Sequence, residues 1–386
     1  MRFAHLADCH LGSWRQPELQ QLNLESFKKA LEICIEKKVD FVLISGDLFD
    51  SAYPPIEILE SAFEQLRKLR EEKISCFIIA GSHDYSASGK TFLNVLEKAG
   101  FCTNIHHKEE NQGRIFLNPV VFKNVALYGY PGKKSGLEVQ ELKNVRLQDS
   151  PLFKILALHT CIKDAIGSLP IDSINENDLP KADYYALGHL HIDYKNKNLV
   201  YAGPTFPNNF QELEELKYGS FYIVDTSPFN AEKIELKLKD VEIVDLEITN
   251  ALTATDKIIL ELGKRELEDK IVLLKLEGKL KQGKTSDIDI KKIEDFVKAK
   301  AYVLLKSTSK IETEEPEINI EIEDVEKLEE EIIKRYTEQK KSEFDSLIFP
   351  LISALSLEKH EAETTLTFNT RLFSELNKIL DLEIKA

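Results

Sequence analysis

The chain has 386 residues, of which 42% are hydrophobic and 30% are charged, and its formal net charge is −15. This length and composition are typical of a soluble globular protein with two or three domains. The negative charge argues against a protein that simply coats nucleic acid. It does not exclude a nucleic-acid enzyme whose metal ions and local lysines contact the phosphates.

No apolar run approaches the ~20 residues that a membrane-spanning helix needs, and the N-terminus lacks the apolar stretch of a signal peptide. We therefore expect a cytoplasmic protein. The cysteines are odd in number and contain no CxxC pair, so neither a disulfide framework nor a structural zinc knuckle is expected. They are Cys9, Cys34, Cys76, Cys102 and Cys161.

The N-terminal part of the chain alternates short apolar runs with amphipathic segments. The runs are rich in Val, Ile, Phe and Tyr, which is typical of buried strands. They cover residues 2–7, 41–45, 76–80, 125–130, 155–158, 184–187 and 199–202. Between the first runs, the apolar spacing predicts helices around residues 27–35, 58–69 and 92–99. This alternation predicts an α/β domain over residues 1–230.

The pattern changes further along the chain. Residues 231–311 contain three strand-like segments with helices near 256–264 and 288–299, which predicts a small α+β domain. Residues 312–326 are acidic, include Pro316 and lack a core pattern, so we interpret them as a linker. Residues 327–386 are predicted to be a helical segment, because apolar residues recur there at helical spacing.

Five polar clusters follow the predicted strands of the first domain. They are DCH at 8–10, GDLFD at 46–50, GSHD at 81–84, His159, and GHLH at 188–191. In open α/β sheets, functional groups gather at the carboxyl ends of the strands. Residues i and i+2 of an extended chain point the same way, so Asp8 and His10 can face one metal centre, as can His189 and His191.

Imidazole and carboxylate ligands together favour Mn, Fe or Zn over Ca or Mg. A shared carboxylate, here Asp47, can bridge two ions ~3.5–4 Å apart, which would clamp a phosphate and generate hydroxide from water. A lone histidine at a strand end is more often structural. Five such clusters in this order instead indicate a site where titratable groups converge, and they predict phosphodiester hydrolysis at two metal ions.

The clusters resemble the signature of the calcineurin-like metallophosphoesterases, which is DxH, GDxxD, GNH(D/E), H and GHxH. The phrases HLADCHLG, ISGDLFD and YYALGHLH further resemble the nuclease subunit of the double-strand-break repair complex, the Mre-eleven/SbcD family. The resemblance is strong over residues 1–225 and limited to layout beyond them. It implies an α/β fold, a metallophosphoesterase β-sandwich flanked by helices, with a small α+β capping domain and a C-terminal helical segment.

The resemblance also implies the ligands of two Mn²⁺ ions, with Fe, Zn or Mg as alternatives. The implied ligands of the first ion are Asp8, His10, Asp47 and His191. Those of the second ion are Asp47, His159 and His189, with Ser82 at a further ligand position.

The GSHD cluster carries two further expectations. The resemblance implies that His83 binds no metal and stabilises the transition state or protonates the leaving oxygen, oriented by Asp50 or Asp84. Ser82 stands where the family has Asn. Because a serine hydroxyl is shorter and a poorer ligand than an Asn carbonyl oxygen, we predict weak binding of the second ion at low metal concentration.

One segment of the small domain mimics a nucleotide-binding motif. Residues 278–285, GKLKQGKT, match GxxxxGK[ST] between a predicted strand and a predicted helix. No apolar strand ending in Asp follows to hold Mg²⁺, so we interpret the segment as a basic loop. Its lysines, Lys279, Lys281 and Lys284, either contact DNA phosphates or form a solvated surface.

The segment at 327–386 either packs on its own core as a helical hairpin or folds onto a partner. The size of its apolar surface favours docking, and the resemblance implies that the partner is an ABC-type ATPase of the Rad-fifty/SbcC type. The resemblance also implies a homodimer through the helices near 58–69 and 92–96.

The leading hypothesis is a Mn²⁺-dependent DNA nuclease, with 3′–5′ exonuclease and endonuclease activity, that processes double-strand-break ends as the catalytic subunit of a complex with this ATPase. Two alternatives stay open. One is a phosphatase or small-molecule phosphodiesterase, because fold does not settle substrate. The other is a scaffold that binds DNA ends and cuts poorly, for which Ser82 is the sequence support.

Overall fold

A computed structural model of the chain describes residues 1–86, 89–167, 170–313, 344–357, 359 and 364–380. The chain forms two compact units, Met1–Glu312 and Thr313–Ala386. Within the described ranges, no helix is both long enough and apolar enough to cross a membrane.

The first unit is built on two six-stranded sheets. The spatial order of the first sheet is β15 (Phe229–Leu236), β14 (Gly219–Thr226), β1 (Arg2–Leu6), β2 (Phe41–Ser45), β3 (Ser75–Ile79) and β4 (Thr103–Asn104). Strands β1 to β4 are parallel, and the β14–β15 hairpin continues the sheet in antiparallel pairing. This hairpin spans residues 219–236 and therefore crosses the predicted end of the first domain at residue 230.

The second sheet has a similar plan. Its spatial order is β12 (Tyr194–Asn196), β13 (Leu199–Tyr201), β11 (Tyr184–Gly188), β10 (Phe153–His159), β8 (Val125–Tyr130) and β7 (Val120–Phe122). The four central strands are parallel, and the two edge strands pair antiparallel to their neighbours. The parallel strands are almost continuously buried because both faces of each sheet are covered.

Three apolar layers explain this arrangement. Alternate residues of both sheets meet in a central layer that includes Phe3, Phe41 and Tyr184. The outer face of the first sheet packs on α1 (Pro17–Glu36), α2 (Ile56–Glu71) and α3 (Leu93–Lys98). The outer face of the second packs on α4 (Glu138–Leu142) and on a three-stranded sheet of β5 (Lys108–Asn111), β6 (Arg114–Leu117) and β9 (Val145–Leu147). A short helix, α5 (Lys163–Ile166), follows β10.

The small α+β region has its own core. In chain order it contains β16 (Val241–Glu247), α7 (Ala251–Gly263), β17 (Ile271–Leu280), α8 (Ile290–Lys298) and β18 (Val303–Thr313). The three strands form one sheet with β17 in the centre, and the two helices cover one face of it.

An apolar cluster attaches this small sheet to the rest of the first unit. Ile271 and Leu273 of β17 pack there with Leu19 of α1 and Leu213 of α6 (Phe210–Leu216). Next to this cluster, the Nζ atom of Lys275 donates to a carboxylate oxygen of Glu214 at 2.6 Å.

The GKLKQGKT segment begins in β17 and continues into the turn after it. Lys279, Lys281 and Lys284 are exposed. The backbone amide of Lys284 donates to Oδ2 of Asp287 at 2.8 Å. In a P-loop, backbone amides of this kind bind phosphate. Here the amide donates to a carboxylate instead, and this contact is consistent with the interpretation of the segment as a basic loop.

In the second unit, the structure describes α9 (Ile348–Leu355) and α10 (Thr365–Leu380), which contact each other. Several large apolar side chains are exposed in this unit, namely Phe344, Phe349, Ile352, Leu355 and Leu366. Residues 327–343 of the predicted helical segment and nearly all of the predicted acidic linker lie outside the described residues.

Replacing Phe41 by Ala is expected to lower the free energy of unfolding by about 3–5 kcal/mol, since it leaves a cavity between the sheets. Phe41 is fully buried, and its ring stacks on Phe3 at a centroid distance of 4.8 Å. The measurement is urea unfolding followed by the fluorescence of Trp14, the single tryptophan. Val121→Thr, on a strand residue that is 59% exposed, is the control and should change the value by no more than about 0.5 kcal/mol. Equal midpoints for Phe41→Ala and the wild type would contradict this placement.

Candidate metal centre

The predicted polar clusters converge at one edge of the sandwich. The parallel strands β1, β2, β3, β10 and β11 all end there, so the loops that follow them lie side by side. These loops carry Asp8, His10, Asp47, Asp50, Ser82, His83, Asp84, His159, His189 and His191.

Asp47 lies between histidines that come from different strands. Its Oδ2 atom is 3.1 Å from Nε2 of His159 and 3.7 Å from Nε2 of His10. The hydroxyl of Ser82 donates to the same oxygen at 3.4 Å, and the backbone amide of His83 donates to Oδ1 at 2.7 Å. One carboxylate oxygen therefore faces two imidazole nitrogens, as a carboxylate that bridges two ions would.

Two pairs of imidazoles flank this carboxylate. The Nε2 atoms of His10 and His191 are 3.1 Å apart, and Nδ1 of His189 is 3.2 Å from Nε2 of His159. Ligand nitrogens lie about 2.0–2.1 Å from an ion such as zinc, so neighbouring ligands of one ion are about 3 Å apart. Each pair therefore has the spacing of two ligands in one coordination sphere.

Asp8 completes the first group. Its Oδ1 atom lies 3.9 Å from Nε2 of His191 and 3.8 Å from Nδ1 of His159. The ligand atoms of Asp8, His10 and His191 lie within 4.8 Å of one another, as do those of Asp8, Asp47 and His159. The donor set of buried carboxylates and imidazoles fits divalent transition-metal ions.

The ring orientation of three histidines is fixed by a hydrogen bond at Nδ1. The partners are Oδ1 of Asp50 for His10 at 3.2 Å, Oε1 of Glu212 for His191 at 2.9 Å, and the carbonyl oxygen of Ser45 for His159 at 3.0 Å. A proton held on Nδ1 leaves the lone pair of Nε2 free for a metal ion. Glu212 lies outside the predicted clusters, and its only local signal is its position three residues after Asn209, the N-cap of α6.

The backbone of the site is strained. Asp8, His10, Asp47 and His189 have φ angles of 48°, 42°, 51° and 96°. Non-glycine residues rarely adopt this left-handed region, at a cost of roughly 1–3 kcal/mol each, and they cluster at functional sites. Tight turns thus aim the ligand side chains back over the sheet edge.

Glycine is required where the loops approach His159. A Cβ atom added to Gly46 would lie 2.2 Å from Nδ1 of His159, and one added to Gly188 would lie 2.2 Å from the carbonyl oxygen of Ser45. Any larger residue at these positions would displace His159.

His83 and Asp84, neighbours in sequence, have different surroundings. His83 is exposed, and its Nδ1 atom bonds to the backbone carbonyl of Asp50 at 2.9 Å. Asp84 is buried, and its carboxylate accepts from the backbone amides of Gly81 at 2.9 Å and Phe49 at 3.2 Å. Asp84 therefore links the loops after β2 and β3. Of the two aspartates expected to orient His83, Asp50 makes the contact, through its backbone carbonyl oxygen.

Burial and neighbouring charges set the protonation of the site. Burial raises the pKa of Asp8. Burial alone would raise the pKa of Asp47. The neighbouring histidines, above all His159, instead lower the pKa of this carboxyl group. Burial opposes charge on His159, but the carboxylates of Asp47 and Asp8 raise the pKa of this imidazole. Burial and the adjacent His159 lower the pKa of His189 to about 4, so it is neutral at pH 7.

A cavity of about 450 Å³ opens beside the second histidine pair. Its lining includes Ser82, His83 and His189 from the metal centre, together with Lys133, Lys134, Gly136 and Glu138. Two lysines thus line this cavity in a chain whose net charge is strongly negative; Lys133 is paired with Glu141, and Lys134 adds positive charge beside the site, which favours the approach of a phosphate group.

Comparison with known proteins agrees with this geometry. Residues 1–193, half of the chain, match the model of the calcineurin-like phosphoesterase family. The DNA double-strand break repair protein Mre11 of Methanocaldococcus jannaschii is 31% identical over 64% of this chain and 67% of its own length. The protein of the same name from Archaeoglobus fulgidus is 27% identical over 72% of this chain and 68% of its own length. The metallophosphoesterase YhaO of Bacillus subtilis is 27% identical over 56% of each chain. With the ligand clusters inside the matched region, this chain belongs to the calcineurin-like phosphoesterase family and, within it, to the Mre11 family.

Proposed function

We propose that the protein is a DNA nuclease that hydrolyses phosphodiester bonds with two Mn²⁺ ions and processes the ends of double-strand breaks. The observation that carries the proposal is the position of Asp47 Oδ2 between two imidazole pairs whose nitrogens are 3.1 and 3.2 Å apart. The archaeal relatives are named as DNA double-strand break repair proteins, which supports DNA as the substrate.

The two ions would have different ligand sets. The first is Asp8, His10, Asp47 and His191, and the second is Asp47, His159 and His189, with Ser82 adjacent. When bound, such ions neutralise charge on the phosphate and lower the pKa of water to supply hydroxide. The mixture of imidazole and carboxylate suits Mn, Fe or Zn, and among these we propose Mn²⁺.

His83 would act on the substrate itself. It is exposed, its ring lies edge-on 4.7 Å from that of His10, and its Nδ1 atom is fixed by the carbonyl of Asp50. Because Nδ1 donates to that carbonyl, Nε2 would be the nitrogen that faces the substrate, and as an imidazolium the ring would stabilise the transition state or give the Nε2 proton to the leaving oxygen. Asp50 and Asp84 would be positioning residues, the first for His10 and His83 and the second for the two loops.

The remaining regions would bring DNA and partners to the site. The exposed lysines 279, 281 and 284 of the small domain would contact phosphates. The exposed apolar side chains of α9 and α10 support docking of the C-terminal segment on an ABC-type ATPase of the Rad-fifty/SbcC type. We also propose a homodimer, a linker at 312–326 and a partner-binding segment at 327–386. We keep the division between the predicted domains at 1–230 and 231–311 but move its boundary to Leu236, the end of the β14–β15 hairpin, because that hairpin continues the first sheet.

The first test is cleavage of end-labelled linear duplex DNA with and without added Mn²⁺, using the wild type beside Asp47→Ala. We expect Mn²⁺-dependent degradation that is lost in the variant, because Asp47 would contact both ions. Binding of DNA without cleavage at any metal concentration would favour the scaffold alternative. Faster hydrolysis of a chromogenic phosphomonoester than of DNA would favour the phosphatase alternative.

His83→Ala is expected to lower the cleavage rate by about 10²–10⁴-fold, the range contributed by a positioned general acid. Metal content, measured by elemental analysis, should stay at the wild-type value because His83 is assigned to neither ligand set. Loss of metal together with activity would place His83 among the ligands instead. Lys181→Ala, at an exposed position in another cavity, is a control that should leave both values unchanged.

Metal binding is expected to strengthen as pH rises from 6 to 8. The pKa of His159 lies above its ordinary 6.5, so the imidazole is protonated at neutral pH and must release a proton before it binds an ion. Below that pKa, the affinity of the second site should rise by up to about tenfold per pH unit. Calorimetric titration of Mn²⁺ in buffers of different ionisation enthalpy measures the released proton. An affinity that does not change between pH 6 and 8 would contradict this assignment, since His189 is already neutral there.

A further inference from the structure

Glu138 is a buried acidic residue beside the metal centre to which the proposed ligand sets assign no role. It is the first residue of α4 and is only 3% exposed. Within the described part of the chain, its Oε2 atom has no hydrogen-bond partner. Because burying a carboxylate oxygen without a partner is unfavourable, its position calls for a ligand.

The cavity next to the second histidine pair is where that ligand would lie. Glu138 lines this cavity together with Ser82, His83 and His189. The chain just before α4 packs directly on the other histidine of the pair, because a Cβ atom added to Gly132 would lie 2.4 Å from Cδ2 of His159. Glu138 therefore belongs to the wall that encloses the second pair.

The two proposed ion sites differ in their acidic ligands. The first site contains Asp8 in addition to the shared Asp47. The second site shares Asp47, but its other two ligands are imidazoles, and the hydroxyl of Ser82 donates to Asp47. Asp8 also lies 3.8 Å from His159, but from Nδ1, the nitrogen that is hydrogen-bonded to the carbonyl of Ser45. In the proposed sets a cation at the second site would thus have one carboxylate ligand where the first has two, and Glu138 is a further carboxylate in the wall of that cavity.

Lys133 pairs with a different glutamate, which leaves the carboxylate of Glu138 available to a ligand. The Nζ atom of Lys133 bonds to both carboxylate oxygens of Glu141 at 2.5 Å, one helical turn from Glu138. Glu141 also accepts from the hydroxyl of Tyr130. Two glutamates of one short helix therefore have different roles: Glu141 forms a surface ion pair, and Glu138 faces the cavity.

We infer that Glu138 is the additional acidic group of the second ion site and holds that ion through a bound water molecule. Among the described residues, some groups of side chains have ligand atoms close enough to share an ion, and Glu138 belongs to none of these groups. This separation favours a water molecule between the Glu138 carboxylate and the ion. The inference rests on the proposed two-ion function. It also changes the expectation drawn from Ser82, because the weaker ligand would be offset by a carboxylate from a different element.

The test is a Mn²⁺ titration of the full chain without DNA, comparing the wild type with Glu138→Gln and Glu141→Gln. Calorimetry gives the affinity of each site. Electron paramagnetic resonance detects magnetic coupling between two ions ~3.5–4 Å apart. We expect Glu138→Gln to weaken the second ion by about 10–100-fold, as loss of a residue that supports a metal ligand does, with the first ion unchanged. Glu141→Gln should behave as the wild type.

A double-mutant cycle that combines Glu138→Gln with Ser82→Asn tests whether Glu138 and Ser82 both contribute to binding of the same ion. If they do, Ser82→Asn should restore second-site affinity in the Glu138→Gln background. Unchanged second-site affinity in a folded Glu138→Gln protein would overturn the inference, and so would equal weakening of both ions, which indicates a general structural role. A wild type that never binds two ions would instead overturn the proposed function itself.

Discussion

The carboxylate of Asp47 is buried at the bottom of the loop after β2, where it meets nitrogen atoms from both sheets of the sandwich. A Cβ atom added to Gly81 would lie 2.2 Å from its Oδ1 atom, so the loop after β3 must pass this carboxylate as glycine. An isolated buried carboxylate is strongly unfavourable, and this one is stabilised by His159, by His10 and by the backbone amide of His83. The loops after β1, β2 and β3 and the end of β10 therefore meet around this one carboxylate.

The register of the paired strands determines which side chains lie next to one another in the candidate metal centre. In the parallel pairing of β10 with β11, His159 lies opposite Gly188, so His189 follows directly beside it. The corresponding pairing of β1 with β2 brings the loop of Asp8 next to that of Asp47, where the amide of Asp8 bonds to the carbonyl of Gly46. The aromatic layer between the sheets then keeps the two halves of the site at a constant distance, because close-packed interiors deform little.

Local patterns predicted the parts of this structure that depend on local rules. Strands 41–45 and 125–130 were predicted with the bounds that the structure has, since both are short and largely apolar and each is followed directly by a turn-forming Gly or Pro. The β14–β15 hairpin was missed. Most residues of β15 are not buried, which leaves little apolar signal, whereas β14 is almost wholly buried and its apolar run at 221–224 was not among the predicted strands. Glu212 and Glu138 were also missed. Each comes from a short helix outside the strand-end clusters, and only the folded chain brings it to the histidines.

Helix α6 joins features that are distant from one another. Three successive residues point to three neighbours: Glu212 holds His191, Leu213 enters the apolar cluster with β17, and Glu214 pairs with Lys275 of that strand. Since the helix is short and is held at each of these contacts, a displacement of β17 must also displace the carboxylate behind His191. The geometry of the proposed first ion site is thus coupled to the position of the small sheet, and a force on that sheet would be transmitted to the candidate ligand His191 through a single turn of helix.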